Sequence, residues 1–259
     1  MKYRVGFVGS GNVAWHLSHA LDSAGHDIVQ IISKTESNAK ELAEKFGSFY
    51  STDLSYVDNR LDVCICCVSD DQLSIVAESL VNSKTFIVHT CGSQPMDILK
   101  NASTNFGVFY PLQSFTKGQK TDMLQVPFML EASNNRSLSI LNELADSISN
   151  KVSFCDSTTR LKYHLSAVFV NNFVNRLYSE AYDYLESNEL DFDVLKPIIL
   201  ETARKVQRTK PKDAQTGPAK RGDVDTISKH KELLVDNSEL AQLYDLLTKT
   251  IGESFTKRD

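Results

Sequence analysis

In the segment HLSAVFVNNFVN, His164, Asn171, Asn172 and Asn175 interrupt a run that is otherwise apolar. At 3.6 residues per turn, positions 164, 168, 171, 172 and 175 share one helix face. An imidazole and carboxamides on one face can exchange a proton and hydrogen-bond a carbonyl, an imine or a carboxylate. Burying an amide unpaired is costly, so each of these groups needs either a substrate or a neighbouring helix or loop as its partner. His164 and Asn172 are the best acid and donor of this half of the chain. In Tyr110-Pro-Leu-Gln113-Ser-Phe115, Tyr110 can supply a proton and Gln113 can bind substrate. In His89-Thr-Cys-Gly-Ser93, Ser93 is a further candidate for substrate, while His89 is either a core histidine or a catalytic one. Arg221 lies in a turn framed by Gly and Pro, which suits bidentate capture of a carboxylate or phosphate. Around it, from Arg204 to Arg221, seven Lys or Arg stand against one Asp in a protein of net charge −5. A solvated basic face is the alternative reading of that run. Asp70 and Asp223 each precede a helical pattern and are expected as N-caps.

The chemistry these groups would serve is indicated by YRVGFVGSGNVA at residues 3–14, a short apolar strand running into Gly9-x-Gly11-x-x-Ala14. This is the dinucleotide-binding fingerprint. Gly9 permits the tight turn, Gly11 lets backbone approach a pyrophosphate, and Ala14 lets the helix pack on the strand. Asn12 and Val13 open the helix, whose free N–H groups and positive end favour the anion. The next strand ends in Ile32-Ser33-Lys34-Thr35, with no acid for a ribose 2′-hydroxyl, and Glu36 is placed to start the following helix. Lys34 would attract a 2′-phosphate by ~1 kcal/mol in water and ~4 kcal/mol at an effective dielectric of 20. Ser33 and Lys34 thus point to NADP rather than NAD. Val68 and Ser69 close the third long strand and are expected to flank the same cofactor.

The elements that must position these residues follow from periodicity. Apolar runs predict strands over residues 3–8, 27–32, 61–68, 85–89, 106–110, 127–130 and 151–154, with amphipathic helices over 13–24, 37–46, 72–81 and 136–149. The strands show little alternation, as expected when both faces are covered. The fold class is therefore α/β, a doubly wound Rossmann-type parallel sheet over residues 1–154, followed by an all-helical domain over 155–259. That second domain is expected to hold helices over 160–187, 191–206, 226–235 and 238–251, with 208–222 as a loop. A hydrophobic content of 41% and a charged content of 24% describe an ordinary globular chain, and the negative net charge argues against nucleic acid. No apolar run approaches a membrane span. The chain begins directly with a strand pattern, so a cytoplasmic location is expected. The five cysteines include no C-x-x-C; buried strand thiols are the expectation and no metal site is, with Cys91 alone in a loop that could face a ligand.

Together the glycine motif, YPLQSF at 110–115, HLSAVFVNNFVN at 164–175 and QTGPAKRGD at 215–223 resemble a Rossmann-like NADP oxidoreductase family whose C-terminal half is a domain of unknown function. That family is similar to deazaflavin-dependent NADP oxidoreductases, pyrroline-5-carboxylate reductases and β-hydroxyacid dehydrogenases. The resemblance covers essentially the whole chain. It implies an N-terminal NADP domain, a helical C-terminal domain, and a homodimer in which helical domains pack together. The β-hydroxyacid dehydrogenases place a catalytic lysine one helical turn before an asparagine. If Asn172 is that asparagine, Val168 stands where the lysine would be. Two readings remain. One is hydride transfer between NADP and a small, anionic carbonyl, imine or hydroxy-acid substrate. There Arg221 would hold the acidic group, His164 or Tyr110 supply the proton, and Asn172 bond the reacting atom. The other is an NADP-binding sensor or partner-binding protein without a working acid.

Overall fold

The computed structural model describes residues 1–256. They form one eight-stranded sheet, ordered β3-β2-β1-β4-β5-β6-β7-β8. The strands are β1 (Arg4–Val8), β2 (Asp27–Ile32), β3 (Phe49–Ser51), β4 (Val63–Cys66), β5 (Ile87–His89), β6 (Phe106–Pro111), β7 (Phe128–Ala132) and β8 (Val152–Phe154). All neighbours are parallel except β6 and β7. This is the Rossmann-type architecture the sequence predicts. β3 went unpredicted because its three residues are half-exposed at the sheet edge and carry no apolar run.

The lack of alternation has a visible cause. Along β1, β4 and β5, successive residues enter opposite clusters: Val5, Phe7, Val63, Ile65 and Val88 pack into one, Val8, Cys64, Cys66 and Ile87 into the other. Both faces of the sheet are core. The parallel register sets Val8 beside Ile32 and Cys66, and Cys66 beside His89. The carboxyl ends of four strands thus form one row, and the order reverses between β1 and β4, where ligands bind in such sheets. His89 pairs with Val108, so β6 runs on past the row and carries Tyr110 beyond it.

Helices α1 (Asn12–Ser23), α2 (Glu36–Glu44), α3 (Asp70–Ser79) and α4 (Asn135–Ile148) follow the predicted segments. Helix α5 (Ser157–Ala167) leads through a π turn (Val168–Phe173) into α6 (Val174–Ser187). Then come α7 (Lys196–Val206), α8 (Pro211–Ala214), α9 (Pro218–Arg221), α10 (Val224–Glu232) and α11 (Ser238–Thr256). The segment 208–222 is not simply a loop: Pro211 and Pro218 each sit at the first helical position and start one short turn of helix. Asp223 caps α10 as expected, accepting from the Thr226 N–H at 3.1 Å. The chain divides into two compact units, Met1–Asn172 and Phe173 onward, so α5 and most of the π turn belong with the sheet. Among the described residues no helix is long and apolar enough to cross a membrane, and no His/Cys/Asp/Glu cluster could hold a metal.

Candidate functional site

At the end of β1, Gly9 has φ +103°, and a Cβ there would stand 2.2 Å from the Cys67 carbonyl oxygen. Backbone conformation and the approach of β4 both demand glycine. Gly11 differs. Its φ is an ordinary −78°, and a Cβ would meet no atom of the described residues within 4 Å. Nothing among the described residues requires glycine at position 11, but a phosphate closing on the backbone would. Helix α1 starts at Asn12 with neither a side-chain cap nor an acid in its first turn, which leaves its first N–H groups open to an anion. Val13 packs partly buried against the core, while the Asn12 Oδ1 accepts from the Lys117 backbone N–H at 3.1 Å. Ser10 donates to the Ser33 hydroxyl at 2.7 Å, tying the glycine loop to the tip of β2. Lys34 follows there, exposed, and Glu36 is the first residue of α2 as expected. The residues present therefore suit a dinucleotide.

At the tip of β4, Val68 is half-buried and Ser69, not Asp70, takes the N-cap position of α3. Asp70 is drawn away because its carboxylate accepts from the Ser93 hydroxyl, joining the tips of β4 and β5. Ser93 is thereby committed to a protein partner. Cys91 is buried, its thiol facing the Val68 carbonyl at 3.6 Å, and burial with the nearby Asp70 raises its pKa. It is a structural thiol. His89 is fully buried, and its Nδ1 accepts from the Cys91 N–H at 3.1 Å. Burial, then the charge of Arg160, pulls its pKa down to about 3, so it stays neutral and belongs to the core.

Three segments distant in sequence meet above this row. The Tyr110 hydroxyl lies 3.2 Å from His164 Nδ1. Beneath the pair runs Gly92, where a Cβ would come within 2.5 Å of His164 Nδ1 and 2.9 Å of Tyr110 Cζ. Only glycine lets the β5 loop pass this close. Burial pushes the Tyr110 phenol up to about 12, so it keeps its proton. The pair opens into a cleft of about 520 Å³ also lined by Leu112, Gln113, Asn171 and Asn172. Gln113 reaches it from the end of β6, with its Oε1 accepting from the Ser114 N–H at 2.8 Å. The π turn changes the expected face. One wider turn at 168–173 brings Val168, Val170, Asn171 and Asn172 into the lining together, whereas Asn175 belongs to the second unit. Such turns gather where helix geometry yields to a site.

Sequence reasoning missed Arg160. Its side chain is 1% exposed and donates to Glu131 on β7, to the Gln94 carbonyl oxygen in the β5 loop, each at 2.6 Å, and to Ser157 at 3.1 Å. This one guanidinium fastens α5, which carries His164 one turn later, to the sheet and to the loop holding Gly92. An arginine in an amphipathic helix reads as solvent-facing; the only available signal was its place four residues before His164. Arg221 lies in the second unit at the end of α9, exposed, 3.7 Å from Asp223.

Two family models match the chain. One, described as NADP oxidoreductase coenzyme F420-dependent, spans residues 4–91, and the other, a domain of unknown function (DUF2520), spans residues 126–251. A candidate NADP oxidoreductase of Bacteroides fragilis is 39% identical, with a TM-score of 0.92 over 97% of this chain and 98% of that one. A Thermotoga maritima protein is 25% identical, with a TM-score of 0.74 over 97% and 98% of the two chains. A pyrroline-5-carboxylate reductase of Streptococcus pyogenes shares the fold at 16% identity, with a TM-score of 0.61 over 98% and 99%. No curated protein matches the sequence.

Proposed function

The chain belongs to the NADP oxidoreductase family in which a dinucleotide-binding domain precedes DUF2520, and we propose that it exchanges a hydride between NADP(H) and a small carbonyl, imine or hydroxy-acid substrate. The observation that carries this reading is the Tyr110–His164 pair, set over Gly92 at the carboxyl edge of the sheet and open to a cleft. When bound, the nicotinamide supplies or accepts the hydride. The backbone of Gly9, Gly11, Asn12 and Val13 would hold the pyrophosphate, Ser33 and Lys34 the 2′-phosphate, and Val68 and Ser69 would flank the groove from β4. For that exchange His164 keeps a proton on Nδ1 and donates it to the hydroxyl oxygen of Tyr110, a phenol still protonated at neutral pH, so that nitrogen is occupied. Nε2 is the nitrogen left to hold the proton exchanged with the substrate oxygen or nitrogen. The Asn172 amide bonds the same reacting atom, Gln113 orients the substrate at the cleft wall, and Ser93 acts through Asp70 to hold the floor.

NADPH oxidation against 2-oxoacids, aldehydes and cyclic imines tests the reading. His164→Ala should retain NADPH affinity and lose turnover by about 10²- to 10⁴-fold. NADPH binding with no turnover of any carbonyl or imine, by wild type or variant, would instead mark a non-catalytic sensor. One observation favours that second reading: Val168 contributes an apolar side chain, and no proton donor, to the cleft wall.

The partner we propose is a second copy of the chain. Among the described residues of the second unit, Leu234 is the one buried apolar side chain. Val194, Ile198, Val224, Leu233, Val235 and Leu246 are each more than half exposed. A helical unit with this much uncovered apolar surface needs another surface to build its core. The cytoplasm is the location we propose, since a reducing compartment suits five cysteines that are all free thiols.

A further inference from the structure

The connection from β6 to β7 returns across the glycine loop, and its attachment there is built. Phe115 is buried and stacks on His16 of α1, with ring centroids 4.6 Å apart. His16, 4% exposed, holds the Thr116 carbonyl oxygen through Nε2 at 3.0 Å. The Lys117 N–H donates to Asn12 Oδ1, and Gly118 turns the chain away at φ +83°. Lys117 is thereby fixed by its backbone at the first residue of α1. From that point its ammonium reaches α2, where it pairs with Glu41 Oε2 at 2.9 Å and holds that carboxyl below the usual range. The side chain spans from the open N-terminus of α1 to the helix that follows the Ser33-Lys34 tip.

We propose that Lys117 is a phosphate contact for the dinucleotide, delivered by the β6–β7 connection and held in reserve by Glu41. The inference rests on the NADP reading above. The Lys117 backbone is anchored at the uncapped N-terminus of α1 while its ammonium rests on Glu41, so an ammonium turned towards a bound phosphate would add to the helix's attraction for the anion, and the Glu41 carboxylate is the group the phosphate must displace or share. The same connection carries Gln113 and Ser114 into the Tyr110–His164 cleft, so a phosphate held by Lys117 also orders the wall that faces substrate. The bound phosphate is either the pyrophosphate or the 2′-phosphate, and the two are separable by choice of cofactor.

Titration of the full chain with NADPH and NADH, at two salt concentrations, tests this in Lys117→Met and Glu41→Gln. Both side chains are on the surface, so thermal melting should be unchanged. Lys117→Met, which keeps the backbone bond to Asn12, should weaken NADPH binding about fivefold or more and flatten its salt dependence. Glu41→Gln should tighten it. Loss for NADPH alone identifies the 2′-phosphate; equal loss for NADH identifies the pyrophosphate. If wild type binds NADPH while Lys117→Met binds it equally well, the inference is overturned and the NADP reading stands. If wild type binds neither cofactor, both fall.

Discussion

Gly9 and Gly11 occupy one motif for different reasons, and substitution separates them. Alanine at Gly9 would face both a positive φ and a carbonyl oxygen 2.2 Å away. We expect Gly9→Ala to cost about 3 kcal/mol or more, read as a lowered midpoint in chemical denaturation. Alanine at Gly11 has a permitted φ and open space. Gly11→Ala should therefore melt like wild type and lose NADPH binding. A stability loss at Gly11, or none at Gly9, would contradict the division of roles. Residue type singles out Tyr110 and His164 separately in the sequence, but only the structure pairs them, at 3.2 Å over Gly92.

Among elements, the junction of α5 with the sheet is the critical one. Arg160 is buried and Glu131 is 18% exposed, so removing one partner leaves a charge with little water. Arg160→Met should destabilise by about 3–5 kcal/mol, as breaking buried pairs does, and should lower turnover through displacement of His164. An unshifted melting curve would show the pair to be dispensable. The end of β5 carries a pH signature. His89 titrates near the ordinary 6.5 when unfolded and near about 3 when folded. Between those values the unfolded chain binds more protons, so stability should fall as pH drops from 6.5 towards 3, by about 1.4 kcal/mol per pH unit from this group. Above pH 6.5 it contributes no slope. Denaturation midpoints at several pH values should show this dependence, and His89→Gln should flatten it; an equal slope in the variant would assign the acid sensitivity to other groups.

At the scale of the whole molecule, the two units contrast in how they are built. The sheet unit has a two-sided core of Val, Ile, Leu and Phe, while the helical unit buries Leu234 alone among its described apolar side chains. A homodimer is the expected consequence. Leu233 is 67% exposed on the chain by itself. Leu233→Glu should leave the secondary structure intact and shift sedimentation from dimer towards monomer at micromolar concentration. A monomeric wild type would remove the basis for this expectation.

Local pattern alone determined much of this protein. Apolar runs without alternation specified the parallel sheet, because both faces of each strand enter a core cluster. The glycine spacing specified the turn at β1, and Ser33-Lys34 without an acid set the expectation of NADP, since all act over neighbouring residues. What depends on distant segments was decided only by the tertiary structure. The 3.6-residue wheel could not foresee the π turn that brings Val170 into the cleft with Asn171 and Asn172, nor could helix periodicity show Arg160 turned inward onto Glu131. Asp70 reads locally as a cap, but Ser93 from the next strand end takes its carboxylate. Backbone preference is a local property. The meeting of Tyr110, Gly92 and His164 is a consequence of sheet register, which aligns strand ends that lie far apart in the chain.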